Sequence, residues 1–211
     1  MMALIIAALF SILAYSQPTN VPVTSSGTQS ETAITVDPNN PNHLMATWTD
    51  FINYTQYHGY SFSSNGGQSW SPPDSIPGEN GYDPSCAIDL SGREYYAYKD
   101  GSNVIRISYS TNDGSDWSIA QKVCSQSSNQ DKPYIAVDNT GHYNRVYVAW
   151  ADLTTNPNNA IDFAYADASG NLQTWKQITL DNLSGASPIP SGSQASPLAP
   201  GGPRLQGAIP A

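Results

Sequence analysis

Three seven-residue segments constrain the fold of this chain more than any other feature. Glu31-Thr-Ala-Ile-Thr-Val-Asp37, Asp83-Pro-Ser-Cys-Ala-Ile-Asp89 and Lys132-Pro-Tyr-Ile-Ala-Val-Asp138 each alternate apolar with polar residues and end in Asp. Alternation of this kind is the mark of a strand, and the terminal Asp recurs about every 50 residues, the period of a β-propeller blade. A turn follows each segment (PNNPNH, LSGR and NTGHYN), and then a second strand: Leu44–Asp50, Glu94–Asp100 and Val146–Asp152. All three second strands carry an aromatic residue two positions before a closing Asp. Third strands follow as GYSFS, RISYS and DFAYA, and a last strand leaves a tryptophan, most clearly as WKQITL. Four strands repeated three times predict an all-β chain, a β-propeller of four-stranded antiparallel blades at about 31–75, 83–122 and 132–180.

Composition agrees and narrows the partners. Only 12% of residues are charged, while Gly and Pro number 16 each and Tyr 13, a balance that suits short strands and turns rather than helices. A formal charge of −9 leaves no basic stripe for phosphates, which argues against nucleic acid and against anionic membrane surfaces.

The third-to-fourth strand connections carry a motif. Ser63-x-Asn65-x-Gly67-x-Ser69-Trp70 is repeated as Ser110-x-Asn112-x-Gly114-x-Asp116-Trp117, and a stretched third copy retains Gly170 and Trp175. Glycine supplies positive φ, and Asn bonds back to nearby amides. The tryptophan is then expected to fold into the seam between sheets and lock the corner. These motifs resemble the Asp-boxes, or BNR repeats, of the sialidase (neuraminidase) superfamily, with Asn replacing the usual Asp and so keeping the acceptor without its charge. The resemblance covers residues 28–180. It implies a partial six-bladed sialidase-like propeller that recognises extracellular glycans or glycoproteins and, at full length, hydrolyses them. The alternative is a non-catalytic propeller that binds a protein or belongs to the cell envelope.

In sialidases the substrate pocket lies on the face opposite the boxes. By resemblance, the candidates here are Glu31, Asp83 and Lys132 at the starts of first strands, with Asp50, Asp100 and Asp152 at the ends of second strands. Paired carboxylates there could act as acid and base, or hold Ca²⁺, although no metal-ligand motif is present. A recurring strand-end Asp is also explained by turn capping, which is the simpler reading. Sialidases grip the sialic acid carboxylate with three arginines. The chain offers only Arg93, Arg106, Arg145 and Arg204, none in an Arg-x-Pro setting, and no sialidase activity is expected of it.

Other features organise the ends and exclude further chemistry. An apolar run from Ala3 to Leu13, followed by Ala14-Tyr15-Ser16, reads as a secretory signal cleaved after Ser16, with 17–30 a linker. That run is too short to span a bilayer. The Ser/Pro/Gly-rich stretch 181–211 reads as a loop leading toward a fourth blade, which predicts a piece of a larger propeller. Cys86 and Cys124 are expected to be unpaired. His43, His58 and His142 are isolated in sequence and read as surface or turn residues. Asn53 and Asn182 fit glycosylation sequons, and Tyr54, Tyr57, Tyr60, Tyr95, Tyr96 and Trp150 are candidate sugar-stacking surfaces.

Overall fold

The computed structural model describes residues 20–179, apart from 26, 53–54, 77–79, 126–128, 155–159, 171 and 173. The expected signal segment, both sequons, Tyr54 and the stretch 181–211 lie outside the described residues. Eleven strands are described: β1 (Thr28–Asp37), β2 (Asn40–Ile52), β3 (Thr55–Ser63), β4 (Gly81–Ile88), β5 (Glu94–Asp100), β6 (Ile105–Ser110), β7 (Gln121–Lys122), β8 (Gln130–Val137), β9 (Arg145–Asp152), β10 (Ala160–Asp167) and β11 (Lys176–Thr179).

They form three antiparallel sheets, ordered β1-β2-β3 (sheet 1), β4-β5-β6-β7 (sheet 2) and β8-β9-β10-β11 (sheet 3). Each sheet follows chain order, so every neighbour is reached by a hairpin and no crossover is needed. The first strands β1, β4 and β8 pack against one another in turn, which makes them the inner strands of a radial stack. Sheet 1 departs from the four-strand expectation. After Trp70 the described chain adds only a single bridge, Tyr60 to Asp74, whose backbone groups exchange hydrogen bonds of 2.8 and 3.0 Å. Strand β1 also begins at Thr28, inside the expected linker.

Position in the stack explains the side-chain patterns. Sheet 2 is covered on both faces, so its central strand β5, EYYAYKD, loses the polar alternation of a half-exposed strand. Tyr95 and Ala97 face sheet 3 in a core with Ile105, Ile107, Val146, Val148 and Trp150. Tyr96 and Tyr98 face sheet 1 in a second core with Met45, Tyr60, Phe62 and Ile88. Two of the buried tyrosine hydroxyls are satisfied within these layers: Tyr95 donates to Asp89 at 2.7 Å and Tyr96 to the Gly59 carbonyl at 3.2 Å. Strand β10, AIDFAYAD, alternates buried with half-buried residues because, among the described residues, one face of sheet 3 is covered, by sheet 2. Cys86 and Cys124 are both buried and are not joined in a disulfide, and burial pushes the Cys86 thiol up to about 12.

Candidate functional site

The three inner strands share one irregularity. Each has a bulge at its start, between Ser30 and Ala33 in β1, Tyr82 and Ser85 in β4, and Asp131 and Tyr134 in β8. At each bulge one non-glycine residue takes positive φ: Glu31 at 53°, Asp83 at 55° and Lys132 at 51°. Such a conformation costs about 1–3 kcal/mol for a side-chain-bearing residue and re-aims that side chain. Here all three turn into one cleft of about 550 Å³, also lined by Gln56, Tyr82, Lys99, Asp131 and Tyr134.

Within the cleft the charges alternate. Lys132 Nζ lies 2.9 Å from Glu31 Oε1 and 3.3 Å from Asp83 Oδ1, and Lys99 Nζ lies 2.9 Å from Asp83 Oδ2 and also pairs with Asp131. The Thr49 hydroxyl donates to Glu31 Oε2 at 3.2 Å, and the Asp83 amide donates to the same oxygen at 3.2 Å. Lys99 sits over the Tyr82 ring at 4.4 Å. Asp83 and Lys99 are the more buried groups, while Glu31 and Lys132 retain about a third of their side-chain exposure, 33% and 30%.

Burial, hydrogen bonds and the neighbouring lysines push the two adjacent carboxyls in opposite directions. Burial and the hydrogen bond to Asp83 raise Glu31 above the usual carboxylate range, with Lys132 opposing. Burial also acts to raise Asp83, but its hydrogen bonds to Glu31 and Lys99 and the charges of both lysines hold it down at about 2. Burial would lower both lysines, yet their carboxylate partners outweigh it and raise them. The cleft therefore holds one firmly ionised acid beside one that keeps its proton more readily, an arrangement suited to recognising hydroxyl-rich ligands and to proton exchange.

The remaining sequence candidates lie elsewhere. Asp100 accepts from the Ser102 and Val104 amides at 2.8 and 3.0 Å and from Arg106 Nε at 2.8 Å. Asp152 accepts from the Thr154 amide and from Gln130 Nε2, each at 2.8 Å. Asp50 accepts from Gln29 Nε2 at 3.3 Å. Asp100 and Asp152 thus brace turns. Of the proposed stacking surfaces, Tyr60, Tyr95, Tyr96 and Trp150 are core residues at most 4% exposed and are closed to a sugar, whereas Tyr57 is 36% exposed. Tyr82 and Tyr134, which line the cleft, were not singled out by sequence, nor were Lys99 and Asp131. Lys99 immediately precedes Asp100, and Asp131 immediately precedes Lys132, so the repeat alignment passes one residue away from each.

The described arginines are committed to structural contacts. Arg93 donates to the Ala168 and Gly170 carbonyls at 2.5 and 3.1 Å and lies over the Tyr109 ring, while Arg145 lies over Tyr143 and Tyr165. None of the described arginines enters the cleft. Arg204 lies outside the described residues.

No protein-family model matches the chain, and no curated protein matches it by sequence. Solved structures do match. An α-L-arabinanase of Penicillium chrysogenum, complexed with arabinobiose, superposes with a TM-score of 0.55 at 15% identity over 72% of this chain and 49% of that one. A protein of unknown function from Dyadobacter fermentans matches with a TM-score of 0.53 at 14% identity, over 71% of this chain and 53% of that one. A Hadza microbial sialidase matches with a TM-score of 0.50 at 17% identity, over 71% of this chain and 33% of that one. This chain therefore shares the sialidase-like β-propeller fold of these proteins and spans about half of their length or less.

Proposed function

We propose that this chain is part of a secreted sialidase-like propeller that binds extracellular glycans in the cleft of Glu31, Asp83 and Lys132. One observation carries the reading. Three chemically different side chains occupy the same repeat position, and each adopts the same costly backbone geometry to meet at the inner strand ends. Structural economy does not call for strain at three equivalent sites, whereas a shared ligand surface does. Further blades complete the ring, since open sheet faces are otherwise left uncovered.

The surface that the described residues contribute suits a neutral sugar. A sialoside needs an arginine clamp on its carboxylate, and the described arginines are engaged elsewhere. The matched arabinanase, complexed with arabinobiose, is a precedent for a neutral glycan on this fold. Because the cleft carboxylates are held by lysines, binding is favoured over turnover in this chain. Titration of arabinobiose and other neutral oligosaccharides, followed by calorimetry, is expected to show saturable binding that sialyllactose does not reproduce. Lys132→Ala and Glu31→Gln are each expected to weaken it about tenfold, the effect of losing one charge-assisted hydrogen bond. Release of fluorophore from a fluorogenic sialoside, or a glycan array without neutral ligands, overturns the reading.

A further inference from the structure

At the opposite end of the same sheets, three side chains from two successive repeats meet across the seam between sheets 1 and 2. His43 lies near the start of β2, Glu94 opens β5, and Asp113 sits in the second tryptophan turn. One ligand atom from each lies within 4.8 Å of the others. His43 Nε2 is 3.2 Å from Asp113 Oδ1 and 4.0 Å from Glu94 Oε1. None of these residues lines the polar cleft.

Two observations separate this cluster from an ordinary group of surface acids. Glu94 is only 1% exposed, yet its Oε2 has no hydrogen-bond partner, an arrangement strongly disfavoured for a buried carboxylate unless another group compensates it. Its neighbour His43 is oriented from behind. Nδ1 lies 3.4 Å from Asp37 Oδ2, and Asp37 is itself fixed through Oδ1 by the Asn39 and Asn40 amides at 2.8 and 3.2 Å. A carboxylate behind one ring nitrogen sets the tautomer that presents the other nitrogen as a ligand. Stacking on Phe62, with ring centroids 5.6 Å apart, further holds the imidazole. Asp113 is 68% exposed and provides the route by which an ion enters.

We propose that His43, Glu94 and Asp113 form a site for a divalent transition-metal ion, Zn²⁺ in the first instance, that fastens sheet 1 to sheet 2. One imidazole and two carboxylates are a zinc donor set, with bonds of roughly 2.0–2.2 Å and water in the remaining position. The exposed Asp113 carboxylate swings in to close the geometry. An ion there pairs the buried Glu94 oxygen and neutralises the two carboxylates together. The imidazole disfavours Mg²⁺ and Ca²⁺, which take oxygen ligands.

The test uses the full chain, without an affinity tag and stripped with a chelator. Zn²⁺ titrated by calorimetry is expected to bind with one-to-one stoichiometry and to raise the melting temperature, because the ion binds the folded state alone. His43→Ala and Glu94→Gln are expected to abolish both effects. Asp113→Asn is expected to fold unchanged, since Asn accepts positive φ, and to bind Zn²⁺ at least tenfold more weakly. Absence of saturable binding in the unsubstituted chain overturns the proposal. So does binding that persists unchanged in Asp113→Asn together with Glu94→Gln.

Discussion

The two tryptophan turns, Ser63–Trp70 and Ser110–Trp117, are built from the same hydrogen bonds and do different work. In the first, Ser63 Oγ accepts from the Gly67 amide at 2.9 Å and Asn65 Oδ1 accepts from the Ser69 amide at 2.9 Å. In the second, Ser110 Oγ accepts from the Gly114 amide at 3.0 Å and Asn112 Oδ1 accepts from the Asp116 amide at 2.9 Å. Their tertiary settings diverge. The Gly114 carbonyl accepts from the Tyr60 hydroxyl at 3.0 Å, and the Trp117 ring meets Tyr60 and Tyr96 edge-on at 5.3 and 5.9 Å, sealing sheet 2 against sheet 1. Trp175 likewise packs on the core between sheets 2 and 3. Trp70 belongs to sheet 1 and joins neither core. Local sequence therefore dictates the turn, and a preceding sheet dictates whether its tryptophan carries load.

Truncating the two tryptophans tests this most sharply. Trp117→Ala opens a cavity in a seam and is expected to lose about 3–4 kcal/mol, whereas Trp70→Ala is expected to lose about 1 kcal/mol. Urea unfolding of both variants measures the gap. Equal losses would show that Trp70 is packed as tightly as Trp117.

The glycines of the two turns give the next largest contrast. Both Gly67 and Gly114 have positive φ, 83° and 75°. A Cβ on Gly114 would stand 2.7 Å from a Tyr60 ring carbon and 2.9 Å from a Phe62 ring carbon, while on Gly67 its nearest neighbour would be Trp70 at 3.9 Å. Gly67→Ala is expected to cost only the left-handed penalty of about 1 kcal/mol, and Gly114→Ala about 2–3 kcal/mol because the aromatic seam must also shift. Thermal unfolding of the pair separates the two contributions, and a Gly114→Ala cost no larger than that of Gly67→Ala would mean that the rings yield freely.

The same division between local and tertiary determines what sequence made legible. Strand order and the hydrogen bonding of the two tryptophan turns follow from residues close in the chain. The cleft was half legible. Glu31, Asp83 and Lys132 fall in one column of the repeat, but an acid, an acid and a base share no chemical type, and nothing in their identities announces a bulge with positive φ. Burial hid the rest. Tyr95 and Tyr96 point to opposite cores because sheet 2 has two neighbours, and no window of β5 reveals how many sheets flank it. His43 read as isolated because its companions Glu94 and Asp113 come from the next repeat, where only the stacking of sheets brings them near.

The smallest expected effect concerns why asparagine stands in these turns. Asn65 Nδ2 donates to the Ser69 hydroxyl at 2.8 Å, and Asn112 Nδ2 donates to Asp116 Oδ2 at 3.0 Å. A hydroxyl can reverse its role and donate to a carboxylate, so Asn65→Asp keeps every bond and is expected to be neutral within about 0.3 kcal/mol. An ionised Asp116 cannot reverse. Asn112→Asp loses a donor and sets two carboxylates together, and is expected to cost about 1 kcal/mol in dilute buffer, less at high salt where the repulsion is screened. Unfolding midpoints of both variants at low and high salt decide the matter: an equal, salt-independent response would mean that the Asn112–Asp116 bond contributes nothing. A selective loss at Asn112 would tie the choice of Asn to the residue four positions on rather than to the turn itself.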